Sequence, residues 1–121
     1  MPAGLACRLV GNTWITDMRH YLDEAGALAA MPAPALNLAL FLGSIGGWMT
    51  RGPVTGPERT NVRCRRSPGR ERCAGEVVAA FELEEAGVAI VWACEWCGDN
   101  GVIRGWRGTG WDRGGLGAEI A

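Results

Sequence analysis

"WACEWCGDNGVIRGWRGTGWD", residues 92–112, holds two cysteines, four tryptophans and five glycines in 21 positions. Cys94 and Cys97 are separated by two residues, a spacing that lets both sulfurs reach one metal ion. Gly98 follows at once, and its freedom to take a left-handed turn suits a loop that aims backbone N–H groups at thiolates. A thioredoxin-like redox pair would instead want a helix after its first cysteine, in a βαβ setting. Here a β-rich run precedes the pair and glycines follow it, so the stretch reads as half of a metal site on a sheet.

The other half lies upstream. Cys64 and Cys73 complete the pattern C-x8-C-x20-C-x2-C with Cys94 and Cys97, and a gap of that length fits two cysteine pairs brought together by an intervening hairpin. Four thiolates supply the tetrahedral sulfur shell that a structural Zn²⁺ prefers. In "CRRSPGRERC" (64–73) Pro68-Gly69 sits at the centre. A tight hairpin closed by Ser67 and Arg70 would put Cys64 directly opposite Cys73, in the close non-hydrogen-bonded kind of pair. An L-Pro-Gly turn favours type II geometry, which fits two-residue hairpins poorly and allows a looser loop. The competing readings are two disulfides, plain buried thiols, or a reversible Cys94–Cys97 redox pair. Disulfides ask for an oxidising compartment. "MPAGLACRLVGN" carries one Arg and no apolar run of export length, so a cytoplasmic chain is expected, with Cys7 a free thiol in a tail.

"CEWCGDNGVIRGW" together with Cys64 and Cys73 resembles a zinc ribbon, the broad group of β-hairpin metal modules. More narrowly, "WITDMRHYLDE", the Cys64–Cys73 loop and "CGDNGVIRGWRGTGWD" resemble a family of small uncharacterised bacterial proteins. That resemblance implies a soluble, cytoplasmic, zinc-ribbon-like protein and carries no activity. Its metal ligands would be the same four cysteines, although the eight-residue loop departs from the usual knuckle.

Outward from the cysteines, "EVVAAFE" (76–82), "VAIVWA" (88–93) and "GVIRGW" (101–106) read as three antiparallel strands, the first two joined by "LEEAG". Toward the N-terminus the pattern turns helical. "TDMRHYLDEAGAL" (16–28) reads as a helix capped by Thr16 or Asp17, with Ile15, Met18, Tyr21 and Leu22 on one face. Pro34 suits the first turn of a second helix. Its large residues fall at Leu38, Phe41, Leu42, Ile45, Trp48 and Met49, one face that could pack as a helical hairpin or dock a protein partner. Residues 25–50 carry no formal charge, but Pro32 and Pro34 leave about 16 helical residues, short of the ~20 a membrane span needs. A buried amphipathic helix is the preferred reading of residues 33–50. The expected organisation is a tail (1–12), a helical hairpin (13–50), a Pro/Gly linker (51–61), a zinc-ribbon-like module (62–112) and a loose end (113–121). The fold class is α+β, a helical pair followed by a three-stranded antiparallel sheet.

All twelve basic residues are Arg, and the net charge is −1, so no global field steers the chain to nucleic acid or anionic lipid. Locally the picture differs. Residues 62–73 hold Arg63, Arg65, Arg66, Arg70 and Arg72 against Glu71 alone, a charge of +4. The arginines either neutralise a zinc–thiolate centre, which carries net negative charge, or meet a phosphate backbone beside a stacking Trp96. The tryptophans otherwise serve to close a thin core. No enzyme is expected: His20 is the only histidine, four cysteines would close a zinc shell, and neither "GDNG" nor "RGTG" has the setting of a phosphate loop. The function expected is a non-enzymatic nucleic-acid-binding or regulatory module with a structural four-cysteine zinc. A protein-interaction module using Leu38, Phe41, Leu42 and Ile45, or a thiol redox protein, is the alternative.

Overall fold

A computed structural model describes residues 13–66 and 71–114. In chain order the elements are β1 (Thr13–Asp17), a single 3-10 turn (Met18–Tyr21), α1 (Ala33–Thr50), β2 (Glu58–Arg63), β3 (Glu76–Glu84), β4 (Gly87–Cys94) and β5 (Asn100–Arg104). The strands form one five-stranded sheet in the order β1-β5-β4-β3-β2. β1 runs parallel to β5, with Ile15 beside Val102, and the remaining pairs are antiparallel.

This corrects the expected fold class. Among the described residues there is one α-helix, not a helical pair, and the sheet has five strands of mixed direction, not three antiparallel ones. The three strands expected over 76–82, 88–93 and 101–106 form the middle of the sheet. The first helix does not form. Thr13, Trp14, Ile15 and Thr16 are β-branched or aromatic, side chains that suit a pleated surface, and they pair with β5. Asp17 caps only the four-residue turn, where it accepts from the Arg19 N–H at 3.0 Å. At the other edge, β2 begins at Glu58, inside the stretch read as a linker.

α1 starts beside Pro32 and Pro34, has no side-chain cap, and lies on one face of the sheet. Its stripe meets the alternate residues of the strands. Leu42, Ile45 and Met49 join Val77, Ala79, Ile90, Trp92, Ile103, Met18 and Trp106 in a single core. Trp106 is fully buried and its indole N–H donates to the Val88 carbonyl at 2.9 Å, so the chain beyond β5 is pinned back to β4. Farther on, Trp111 lies against α1 where Gly43 leaves it room, since a Cβ there would fall 2.1 Å from the indole nitrogen. The Thr50 hydroxyl accepts from the Arg113 N–H at 2.9 Å. The opposite sheet face carries small side chains, Ala80, Ala89, Val91, Ala93 and Val102, all buried. Among the described residues no helix is long and apolar enough to cross a membrane.

Candidate metal centre and the basic groove

The two halves of the cysteine pattern meet at one end of the sheet. Cys94 is the last residue of β4 and Cys97 closes the turn that follows it, while Cys64 leaves β2 and Cys73 leads toward β3. All four Sγ atoms lie within 4.8 Å of one another. The Cys64–Cys97 and Cys73–Cys94 sulfurs stand 3.6 Å apart. A disulfide needs about 2.05 Å, and all four cysteines are free. A tetrahedron with metal–sulfur bonds of about 2.3 Å has its sulfurs about 3.8 Å apart, close to what is found. The four cysteines can therefore hold a metal ion.

Backbone donors support the same conclusion. Arg66 N–H reaches Cys64 Sγ at 3.5 Å and Gly75 N–H reaches Cys73 Sγ at 3.4 Å. Trp96 and Cys97 N–H both point to Cys94 Sγ, at 3.4 and 3.5 Å. Such donors orient sulfur ligands and favour the thiolate. Gly98 takes φ +79°, the left-handed turn expected of its position after Cys97.

The upstream loop departs from the expected register. Cys64 N–H bonds to the Gly75 carbonyl at 2.9 Å and Cys73 N–H to the Arg66 carbonyl at 2.8 Å. Cys64 thus stands opposite Gly75, not opposite Cys73, and each of the two sulfurs accepts an N–H from the residue two farther on. The need for a glycine at 75 is steric: a Cβ there would lie 2.7 Å from Cys94 Sγ and 2.9 Å from Trp96 Cβ.

Burial and backbone donors act on the thiols in opposite directions. Burial pushes Cys64 and Cys94 above the ordinary thiol value of 9.0 by penalising the charged form. Cys73 moves down instead, chiefly because the Gly75 N–H bonds to its sulfur. A divalent cation reverses the balance, since sulfur ligates as thiolate and binding releases protons.

Arginines surround this centre in different roles. Arg72 Nε donates to the Cys64 carbonyl at 3.2 Å and so braces the loop. Arg66 stands 4.0 Å from Asp99, and Arg59 pairs with Glu95 at 2.9 Å. Arg63 and Arg65 are exposed, and Arg70 lies outside the described residues. Trp96 is 71% exposed on the Cys94–Cys97 turn.

Between α1 and β2 runs a groove that the sequence pattern did not disclose. Two adjoining hollows of about 570 and 540 Å³ share Leu40, Ser44, Asn61 and Val62. Along them lie Arg51, Arg63, Arg65, Arg72 and Arg113, with no Asp or Glu among the described lining residues. Arg51 stacks on Trp48 at 3.9 Å and pairs with Glu58 at 3.1 Å, just outside that lining. Only the Arg63–Arg72 end was visible as a charge run; Arg51 and Arg113 arrive from distant segments. Of the helix residues expected to dock a protein, Leu42 and Ile45 are 1% and 0% exposed in the chain's own core, and Leu38 and Phe41 pack against it.

No protein-family model, curated protein or solved structure matches this chain.

Proposed function

We propose that the chain is a non-enzymatic binding module, with a structural Zn²⁺ on Cys64, Cys73, Cys94 and Cys97 and single-stranded nucleic acid along the α1–β2 groove. Zinc suits the site because four cysteine ligands close its shell and leave no position for substrate. When bound, it would supply a crosslink between the β2–β3 loop and the β4–β5 turn, fixing Arg63, Arg65 and Arg72 relative to α1. The observation that carries the nucleic-acid reading is the groove itself, five arginines with no acidic residue among its described lining. Trp48 and Trp111 supply ring surface in the same lining, the combination of cations and aromatics that single strands favour.

Fluorescence anisotropy with a labelled single-stranded oligonucleotide tests it. If all five arginines neutralise phosphates, log K should fall against log salt with a slope of about −3.5. Arg63→Gln with Arg65→Gln should flatten that slope by about 1.4. Absent or salt-independent binding at low ionic strength would remove the proposal. Metal analysis and thiol alkylation on the same sample separate it from the redox alternative, which requires a reversible Cys94–Cys97 disulfide in place of one bound ion and four protected thiols.

A further inference from the structure

A second cavity opens beside the metal loops, about 340 Å³ in volume, and its lining is unlike that of the groove. Three ring systems face it: Trp14 from β1, Phe41 from α1 and Trp92 from β4. Phe41 and Trp92 meet edge to face, with centroids 5.4 Å apart at 80°. Trp14, half exposed, is held by its indole N–H bond to Asp99 Oδ1 at 3.1 Å. Trp92 is 2% exposed, and its indole N–H is buried with no partner among the described residues. An unmet buried donor costs about 1–3 kcal/mol, and most native proteins avoid it. Gly101 lets this edge come close to the β5 backbone, because a Cβ there would lie 2.6 Å from Trp92 Nε1 and 2.5 Å from the Trp14 carbonyl oxygen.

At the mouth stand two guanidinium groups with weak internal attachments. Arg65 lies 6.0 Å from the Phe41 ring centroid and Arg66 lies 4.0 Å from Asp99 Oδ1. Both are exposed. Arg65 and Phe41 also line the groove between α1 and β2, so the cavity opens where the groove ends.

We infer that this cavity seats one nucleotide, its base among Trp14, Phe41 and Trp92 with a ring nitrogen or carbonyl accepting from the Trp92 indole N–H, and its phosphate on Arg65 and Arg66. Flat rings recognise any base by its face, the unmet donor selects for an acceptor at the ring edge, and the guanidinium forks suit phosphate oxygens. Entry displaces Arg65 from over Phe41, where its contact is already long. The inference rests on the single-strand reading for its natural ligand, a base at the end of a bound strand, but the same chemistry would accept a free mononucleotide.

Indole N–H resonances of the ¹⁵N-labelled, metal-loaded protein provide the test. Trp92→Phe identifies the Trp92 signal, and adenosine 5′-monophosphate, an oligoadenylate and inorganic phosphate are titrated separately. Saturable movement of the Trp92 signal with both nucleotides, and not with phosphate, is the expected result. Trp92→Phe should weaken oligoadenylate binding about three- to tenfold without changing the salt slope. Arg66→Gln, on an exposed side chain, should lower affinity for the mononucleotide and keeps the inference open to refutation if the Trp92 variant fails to fold. A motionless Trp92 signal while the oligonucleotide binds in salt-dependent fashion overturns the pocket and leaves the groove reading standing. Movement with adenosine 5′-monophosphate but no oligonucleotide binding overturns the groove reading and leaves a site for free nucleotides. Equal movement with inorganic phosphate overturns recognition of the base.

Discussion

β3 and β4 are tied off differently at their two ends. At the turn end, where Glu84 pairs with Gly87, the fastening is made by protein groups alone. Trp106 lies in the core against Phe81, rings 5.5 Å apart, with its N–H on the Val88 carbonyl, and Arg104 holds Glu84 at 2.8 Å. At the other end, where Val77 pairs with Cys94, the fastening is four thiols and the N–H groups aimed at them. Sulfur acceptors at 3.4–3.5 Å are weak partners when protonated. The first end therefore holds under any solution condition that preserves packing, whereas the second would gain a crosslink from a bound ion. The Trp14–Phe41–Trp92 cavity and the Arg63–Arg72 end of the groove both lie beside the cysteine end.

Removing the metal should break the comparison most visibly. A structural zinc contributes ~10–16 kcal/mol of apparent binding free energy, as much as the whole stability of many domains. Chelation should strip hydrogen-exchange protection from the Cys64, Cys73, Cys94 and Gly98 amides first, while Ile90 and Ile103 keep theirs longer. Simultaneous loss at both ends would mean that they are one cooperative unit and would erase the distinction. Trp106→Ala attacks the opposite end and should cost about 3–5 kcal/mol in denaturant unfolding, with the metal content of the folded fraction unchanged. Gly75→Ala sharpens the picture at the metal end alone. Crowding Cys94 Sγ should cost about 10–100-fold in metal affinity, measured by competition with a chromophoric chelator, and leave the Trp106 environment intact.

Asp17→Asn should give the smallest effect. Its hydrogen bond from the Arg19 guanidinium holds the Asp17 carboxyl at about 2, below the ordinary 3.8. A depressed carboxyl stabilises the fold above its unfolded value, and that contribution is lost as pH falls from about 3.8 through about 2. Both partners are solvent-screened, so the variant should lose about 1 kcal/mol or less at neutral pH, and the gap from the parent should close in acid unfolding curves.

Legibility in the sequence followed the range of the interactions. β3, β4 and β5 carry dense β-branched runs and local turns, and the cysteine spacing marks its own chemistry, so both could be read directly. β1 could not, because its strand character depends on a neighbour 87 positions away, Asn100 beside Thr13. Trp14 and Ile15, on opposite faces of β1, are both exposed, and the spacing of Met18, Tyr21 and Leu22 imitates a helical stripe. β2, "ERTNVR", is an edge strand with only Thr60 buried, and polar edges look like linkers. The Cys64–Gly75 register was hidden for a different reason: it is set by backbone bonds from Cys64 N–H to the Gly75 carbonyl and from Cys73 N–H to the Arg66 carbonyl, which a hairpin drawn symmetrically around Pro68-Gly69 does not contain. The groove was half legible, through Arg63, Arg65 and Arg72, since Arg51 and Arg113 reach it only through folding.

The parallel pairing of β1 with β5 has a consequence for how the protein is made. During synthesis the first strand leaves the ribosome long before the last exists, so it must wait without its partner while the intervening chain assembles. High contact order of this kind slows folding and leaves Trp14 and Ile15 open to association with other nascent chains.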